Sequence, residues 1–238
     1  MIARIESSLN PTASAVRMHG MQQRRDLTGI AAGIAAPIVS WSLSVLVIAT
    51  WPGYDPVAQS ISSLANAPLG GLQTVAFALS GSLGVAWAFG LSSGLGSTTQ
   101  DRMLVRGLLL VQAVVALGFA ILPTDPAGAP TTLIGRLHLL DFYLYALTMP
   151  LTLVVVGLVM HRDPRWRQGV RPTLLAAGLV VLAAALVPAT VDGPLTPWLG
   201  LLERLYVAVP SIWQVAVGGW AWRLATRSSV AADDAELA

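Results

Sequence analysis

Six apolar runs dominate the chain, near Leu27–Thr50, Gly71–Leu91, Leu104–Leu122, Ile134–Met160, Thr173–Val191 and Leu199–Leu224. Each is long enough to cross a hydrocarbon core of about 30 Å as an α-helix. Lipid offers no partners to backbone polar groups, so runs of this kind fold as helices that satisfy their own amides. The expected fold class is all-α: a polytopic membrane protein built as a six-transmembrane-helix bundle. A mean hydropathy of +0.68 with only 11% charged residues excludes an ordinary soluble domain. Residues 1–26 and 225–238 read as polar cytoplasmic tails on one transmembrane domain, 27–224, with no room for a separate soluble unit.

The arginines orient that bundle. Arg4, Arg17, Arg24, Arg25, Arg102, Arg106, Arg162, Arg165, Arg167, Arg171, Arg223 and Arg227 all fall in the tails or in the second and fourth connections. The positive-inside rule makes those parts cytoplasmic, and an even number of spans agrees. The expected location is a bacterial plasma membrane, with the protein multi-pass and both termini inside. The pI near 9.5 therefore marks topology and contact with anionic lipids, not nucleic acid. The chain has no cysteine, which removes disulfide and thiolate chemistry. The first 26 residues lack the apolar core of a cleavable signal, so the first helix is expected to act as its own signal, with Met18 or Met21 as alternative starts. Arginine without lysine, amid alanine and valine, resembles the usage of a GC-rich bacterium.

Charges on the other side are fewer and unusually placed. Asp55, Asp125, Asp141, Asp192 and Glu203 face only Arg136, Arg204 and His138. Ionisable groups inside a membrane segment point to a functional site. On the fourth helix His138, Asp141, Tyr145, Thr148 and Thr152 step by three or four residues and share a face. His138 and Asp141 are placed to pair directly. At 1.5 Å per residue they lie roughly 7 and 12 Å below the outer interface. Glu203, Tyr206 and Gln214 share a face of the sixth helix, and Arg204 is expected to pair with Asp125 or Asp141. Asp55 and Asp125 precede prolines, and Asp192 precedes Gly193-Pro194; all three also read as turn caps. In the long first outer connection Val57, Ile61 and Leu64 alternate with Gln59, Ser60 and Ser63, which predicts a short amphipathic helix.

Prolines Pro37, Pro150, Pro188 and Pro210 fall within the predicted helices. Gly29 and Gly33, and the strip Gly81, Gly84 and Ala88, read as devices for close helix packing. Trp87 and Gln112 read as packing residues.

These residues point to an outward-opening pocket in which His138, Asp141, Asp125 and Glu203 are the candidate catalytic groups. Tyr54, Asp55, Ser60, Tyr145, Arg204 and Tyr206 are the candidate substrate contacts. Acids at different depths can hold different protonation states, and aromatic rings can stabilise a cation. The expected ligand is a lipid or isoprenoid, bound or transformed by acid–base chemistry such as proton-initiated terpene cyclisation, isomerisation or head-group hydrolysis. The competing readings are a transporter or lipid-handling protein, in which the stripe is a path, and a structural membrane subunit, in which polar pairs join helices. No cofactor is expected. With one outer histidine and no cysteine, no transition-metal site is expected either, while Ca²⁺ or Mg²⁺ on the carboxylates stays open without being indicated. Membrane lipids are the expected partners, and oligomeric state is not legible.

Pro52-Gly53-Tyr54-Asp55-Pro56 leading into Ser60-Ile61-Ser62-Ser63-Leu64, Leu122-Pro123-Thr124-Asp125-Pro126 followed by Gly135 and His138, and Glu203-Arg204-Leu205 together resemble a bacterial and archaeal family known as domain of unknown function 998. The resemblance covers residues 27–224 and implies a six-helix integral membrane protein, with no established reaction. Its matching positions are Tyr54, Asp55, Ser60, Asp125, His138, Glu203 and Arg204.

Overall fold

A computed structural model describes residues 11–190 and 193–237, which leaves Arg4 and Asp192 outside the described residues. Six long helices follow one another: α1 (Pro11–Ala49), α2 (Gly70–Gly94), α3 (Thr99–Ile121), α4 (Leu133–Arg162), α5 (Arg167–Leu186) and α6 (Leu199–Leu237). Chain neighbours pack against each other in order, and α6 returns to α1, so the helices close into a ring. The protein is an all-helical polytopic membrane protein. Spans Gly20–Ala49, Gly70–Gly94, Thr99–Ile121, Leu133–Arg162 and Pro164–Leu186 are long and apolar enough to cross a membrane. The sixth helix is not among them. Glu203, its arginines, Gln214 and Pro210 dilute its apolar content, and it holds its place by packing on α1 and α5.

Two helices outrun the apolar runs that seeded them. α1 starts at Pro11 and α6 continues to Leu237, so much of each polar tail is helical. Extending a formed helix fixes one residue per new hydrogen bond, and alanine and arginine favour it. α5 begins earlier than expected, at Arg167, and ends at Leu186. Pro188 therefore lies in a 3₁₀ turn, Val187–Thr190, and not inside a transmembrane helix.

The ring is drawn tight by glycine. Gly29 on α1 faces Gly90 on α2, and a Cβ on either would lie 2.8 Å from the other's Cα. Backbone meets backbone there, which only hydrogen side chains allow. Gly33 carries the Trp87 indole on its surface, Gly81 sits on the Ala113 carbonyl, and Gly84 meets the Ala113 methyl, so the small-residue strips do pack helices. Around the outside, Ile121, Leu140, Leu147 and Leu175 are exposed, as a lipid-facing surface requires.

The expected amphipathic helix of the first connection is shorter and tighter. A 3₁₀ turn, Ser62–Asn66, replaces it, with Ile61 and Leu64 buried on Val47 while Val57 stays exposed. At the arginine-rich end, ion pairs tie the connections: Arg162 to Asp101 at 3.1 Å and Arg165 to Asp163 at 2.7 Å. The Arg165 guanidinium bonded to it is the main reason that Asp163 is held below the ordinary carboxylate range.

Candidate functional site

At the arginine-poor end, the first connection lies over the ring and is clamped to the start of α6. The Glu203 carboxylate accepts the Ile61 amide proton at 2.8 Å and the Ser62 hydroxyl at 3.1 Å. These donors lie at the start of the 3₁₀ turn, where backbone N–H groups have no partner within the turn. Arg204 takes the opposite task. Its Nη1 donates to the carbonyls of Pro56, Gln59 and Gly200 at 2.7, 2.8 and 2.9 Å, and its Nη2 donates to the Tyr54 hydroxyl. Adjacent residues on α6 thus satisfy the donors and the acceptors of one irregular segment. Gly200 makes room, since a Cβ there would lie 2.7 Å from the Pro56 carbonyl oxygen.

This corrects the expected partner of Arg204. Neither Asp125 nor Asp141 is within ion-pairing distance of it among the described residues, because loop carbonyls supply its acceptors. Tyr54 completes the clamp by donating to the Ser60 carbonyl at 2.7 Å and stacking on Trp51 at 5.0 Å. Burial raises its phenol above the ordinary range, against the lowering effect of Arg204, and so keeps it a donor. Ser60 accepts the Ser63 amide proton, and Asp55 accepts those of Val57 and Ala58, so both act as turn residues.

A second clamp joins α3 to α4. Asp125 accepts the Thr132 amide and hydroxyl protons, both at 2.8 Å, and Thr132 in turn caps α4 at Gly135. The backbone bond, then the hydroxyl, lowers Asp125 below the ordinary carboxylate range. Gly135 is where the Asp125 carboxylate lies against the helix. His138, 7% exposed, places Nδ1 2.6 Å from the Leu122 carbonyl, which can only accept, so Nδ1 carries a proton. Among the described residues no hydrogen bond or ion pair joins His138 to the expected partner Asp141. The free carbonyl at the end of α3 needs a donor and takes the imidazole. Asp141 lies against Gly118 on α3, and its Oδ2 has no partner.

Inside the ring is a cavity of about 160 Å³. Water needs only about 10–15 Å³ of such space, so the cavity can take a ligand. Its walls are mainly apolar, among them Phe77, Phe119, Phe142 and Met149. They are interrupted by neutral polar groups: Gln73, Gln112, Gln214, Ser40, Ser44 and Ser80. Ile61, Ser62 and Glu203 close it beneath the first connection. Of the ten candidate residues, Glu203 and Tyr145 line it, and Tyr206 stands behind, donating to the Tyr145 carbonyl at 3.2 Å. Of the four candidate catalytic groups His138, Asp141, Asp125 and Glu203, only Glu203 lines this cavity. Phe119, which lines the cavity, packs on the His138 ring at 5.3 Å. Trp87 and Gln112, read from sequence as packing residues, do line the cavity, and an amide inside an apolar run was the available signal.

The family model described as "Protein of unknown function (DUF998)" matches residues 34–220. The chain belongs to this family. No curated protein and no solved structure matches it. The residues that carried the resemblance fall in the two clamps: Tyr54, Asp55, Ser60, Glu203 and Arg204 in one, Asp125, Gly135 and His138 in the other.

Proposed function

We propose that this DUF998 protein binds a lipid- or isoprenoid-like amphiphile inside the helical ring, beneath the first connection. The cavity carries this reading: apolar walls with a few neutral polar groups are the usual lining of a small-molecule site. Glu203 is its one carboxylate, and both oxygens are engaged in holding the connection. His138, Asp125 and Asp141 lie away from the lining, which favours binding over acid–base turnover. Ala116→Phe pushes a ring into the cavity. Geraniol and a lysophospholipid serve as probes in detergent. At least one should raise the unfolding temperature of the parent by several degrees through linkage, and leave Ala116→Phe unmoved. An equal response from both proteins, or none from the parent, overturns the reading.

The same reading places the protein in a bacterial plasma membrane with the arginine-poor end and the cavity cap outside. Twelve of the fourteen arginines fall, along the sequence, in the tails and in the second and fourth connections, which supports this. The cysteine-free chain makes the check direct. Cysteines at the exposed positions Asn66 and Ala127 should react with an impermeant maleimide on intact cells, and one at exposed Gln168 should not. Labelling of Gln168→Cys alone would invert the topology.

A further inference from the structure

Three buried side-chain polar atoms lack a hydrogen-bond partner among the described residues, and two of them, Trp87 Nε1 and Gln112 Oε1, belong to side chains lining the cavity. Their chemistry is forced. The indole N–H only donates, and Trp87 is 2% exposed. Gln112 has its orientation set by two threonines. The Thr148 hydroxyl donates to the Leu144 carbonyl, and that of Thr152 to the Thr148 carbonyl, both at 2.7 Å. Each hydroxyl has spent its only proton and can only accept, so Gln112 must turn its NH₂ toward them, at 2.9 and 3.1 Å. The amide oxygen is left facing elsewhere, without a donor.

Several other polar groups of the lining already have partners. Gln73 Oε1 accepts from Ser44 at 2.8 Å, Gln214 Nε2 donates to the Gly33 carbonyl at 2.9 Å, and Ser211 accepts from Trp41 at 3.1 Å. The two buried atoms left over are one donor and one acceptor, both uncharged.

We infer that the cavity selects an uncharged, hydroxyl-bearing amphiphile, which accepts from Trp87 Nε1–H and donates to Gln112 Oε1 while its apolar body lies against Phe77, Phe119, Phe142 and Met149. This rests on the binding reading above and specifies its ligand. A hydrocarbon leaves both buried atoms unsatisfied. An ether or ester can meet the indole but has no proton for Gln112. A phosphate or carboxylate sets negative charge against the amide oxygen, with no cation in the lining to offset it.

The test uses four probes on one ten-carbon skeleton: geraniol, geranyl methyl ether, myrcene and geranyl phosphate. Each is titrated into the full chain in detergent, with dissociation constants read by calorimetry. Geraniol should bind roughly tenfold more tightly than the ether, the worth of the one buried hydrogen bond to Gln112, and more tightly still than the hydrocarbon, which makes neither bond. Gln112→Met should erase most of the preference for alcohol over ether, and Trp87→Phe most of the preference for ether over hydrocarbon, each read as a ratio of affinities within the same variant. Gln112 is only half-buried, so Gln112→Met keeps the test decisive if Trp87→Phe fails to fold. Equal binding of alcohol, ether and hydrocarbon, all abolished by Ala116→Phe, overturns this inference and leaves the cavity reading standing. Preference for geranyl phosphate also overturns it. Failure of every probe to bind at a site sensitive to Ala116→Phe, together with no lysophospholipid response, overturns the binding reading and this inference together.

Discussion

Glu203→Ala is expected to lower the unfolding midpoint in detergent by about 5–10 °C, the consequence of losing roughly 3 kcal/mol of charge-assisted hydrogen bonding and orphaning its donors. Both donors are buried: Ile61 and Ser62 are each 7% exposed, so water cannot readily replace the carboxylate. Glu203→Gln keeps an acceptor for the Ile61 amide, and its NH₂ can meet the Ser62 hydroxyl, so it should lose far less. The two variants separate a clamp from an acid–base group, since the amide cannot titrate yet should hold the connection. Proteolysis between residues 55 and 69 is the independent readout, and only the alanine variant should become sensitive there. An alanine variant that melts with the parent and resists protease equally would remove Glu203 from this role.

Substituting either glycine of the Gly29–Gly90 contact with leucine is expected to leave little folded protein. The α1–α2 interface is the most extensive in the ring, and its closest point admits no side-chain atom. A branched chain there must part the helices, with a cost above about 4 kcal/mol, in the range reserved for severe core disruption. Trp87 would also move, because its ring rests on Gly33 one turn along α1. Gly178 is the control. It is an exposed helical glycine with nothing within 4 Å of its missing Cβ, so Gly178→Ala should be neutral or raise stability by up to about 1 kcal/mol. Detergent size-exclusion profiles and melting curves decide it. A monodisperse, stable Gly90→Leu protein would show that the helices do not cross here.

The helices were legible because membrane insertion is decided over windows of contiguous residues, and hydropathy is a property of such windows. The arginine asymmetry was legible for the same reason. Capping by Asp125 was within reach too, since its partner Thr132 is only seven residues away. What sequence counting misplaced was every partner chosen by tertiary approach. It weighed Arg204 against carboxylates because charges can be counted along a chain, whereas the carbonyls of Pro56 and Gln59 become acceptors only when an irregular segment is folded onto α6. It joined His138 to Asp141 because they share a helix face, but that face meets the end of α3, where Leu122 offers a carbonyl and Gly118 offers space. Helical periodicity says which residues look the same way and not what they look at. For the same reason Trp87 and Gln112, twenty-five positions apart and each ordinary in its own helix, became cavity groups only when the ring closed around them.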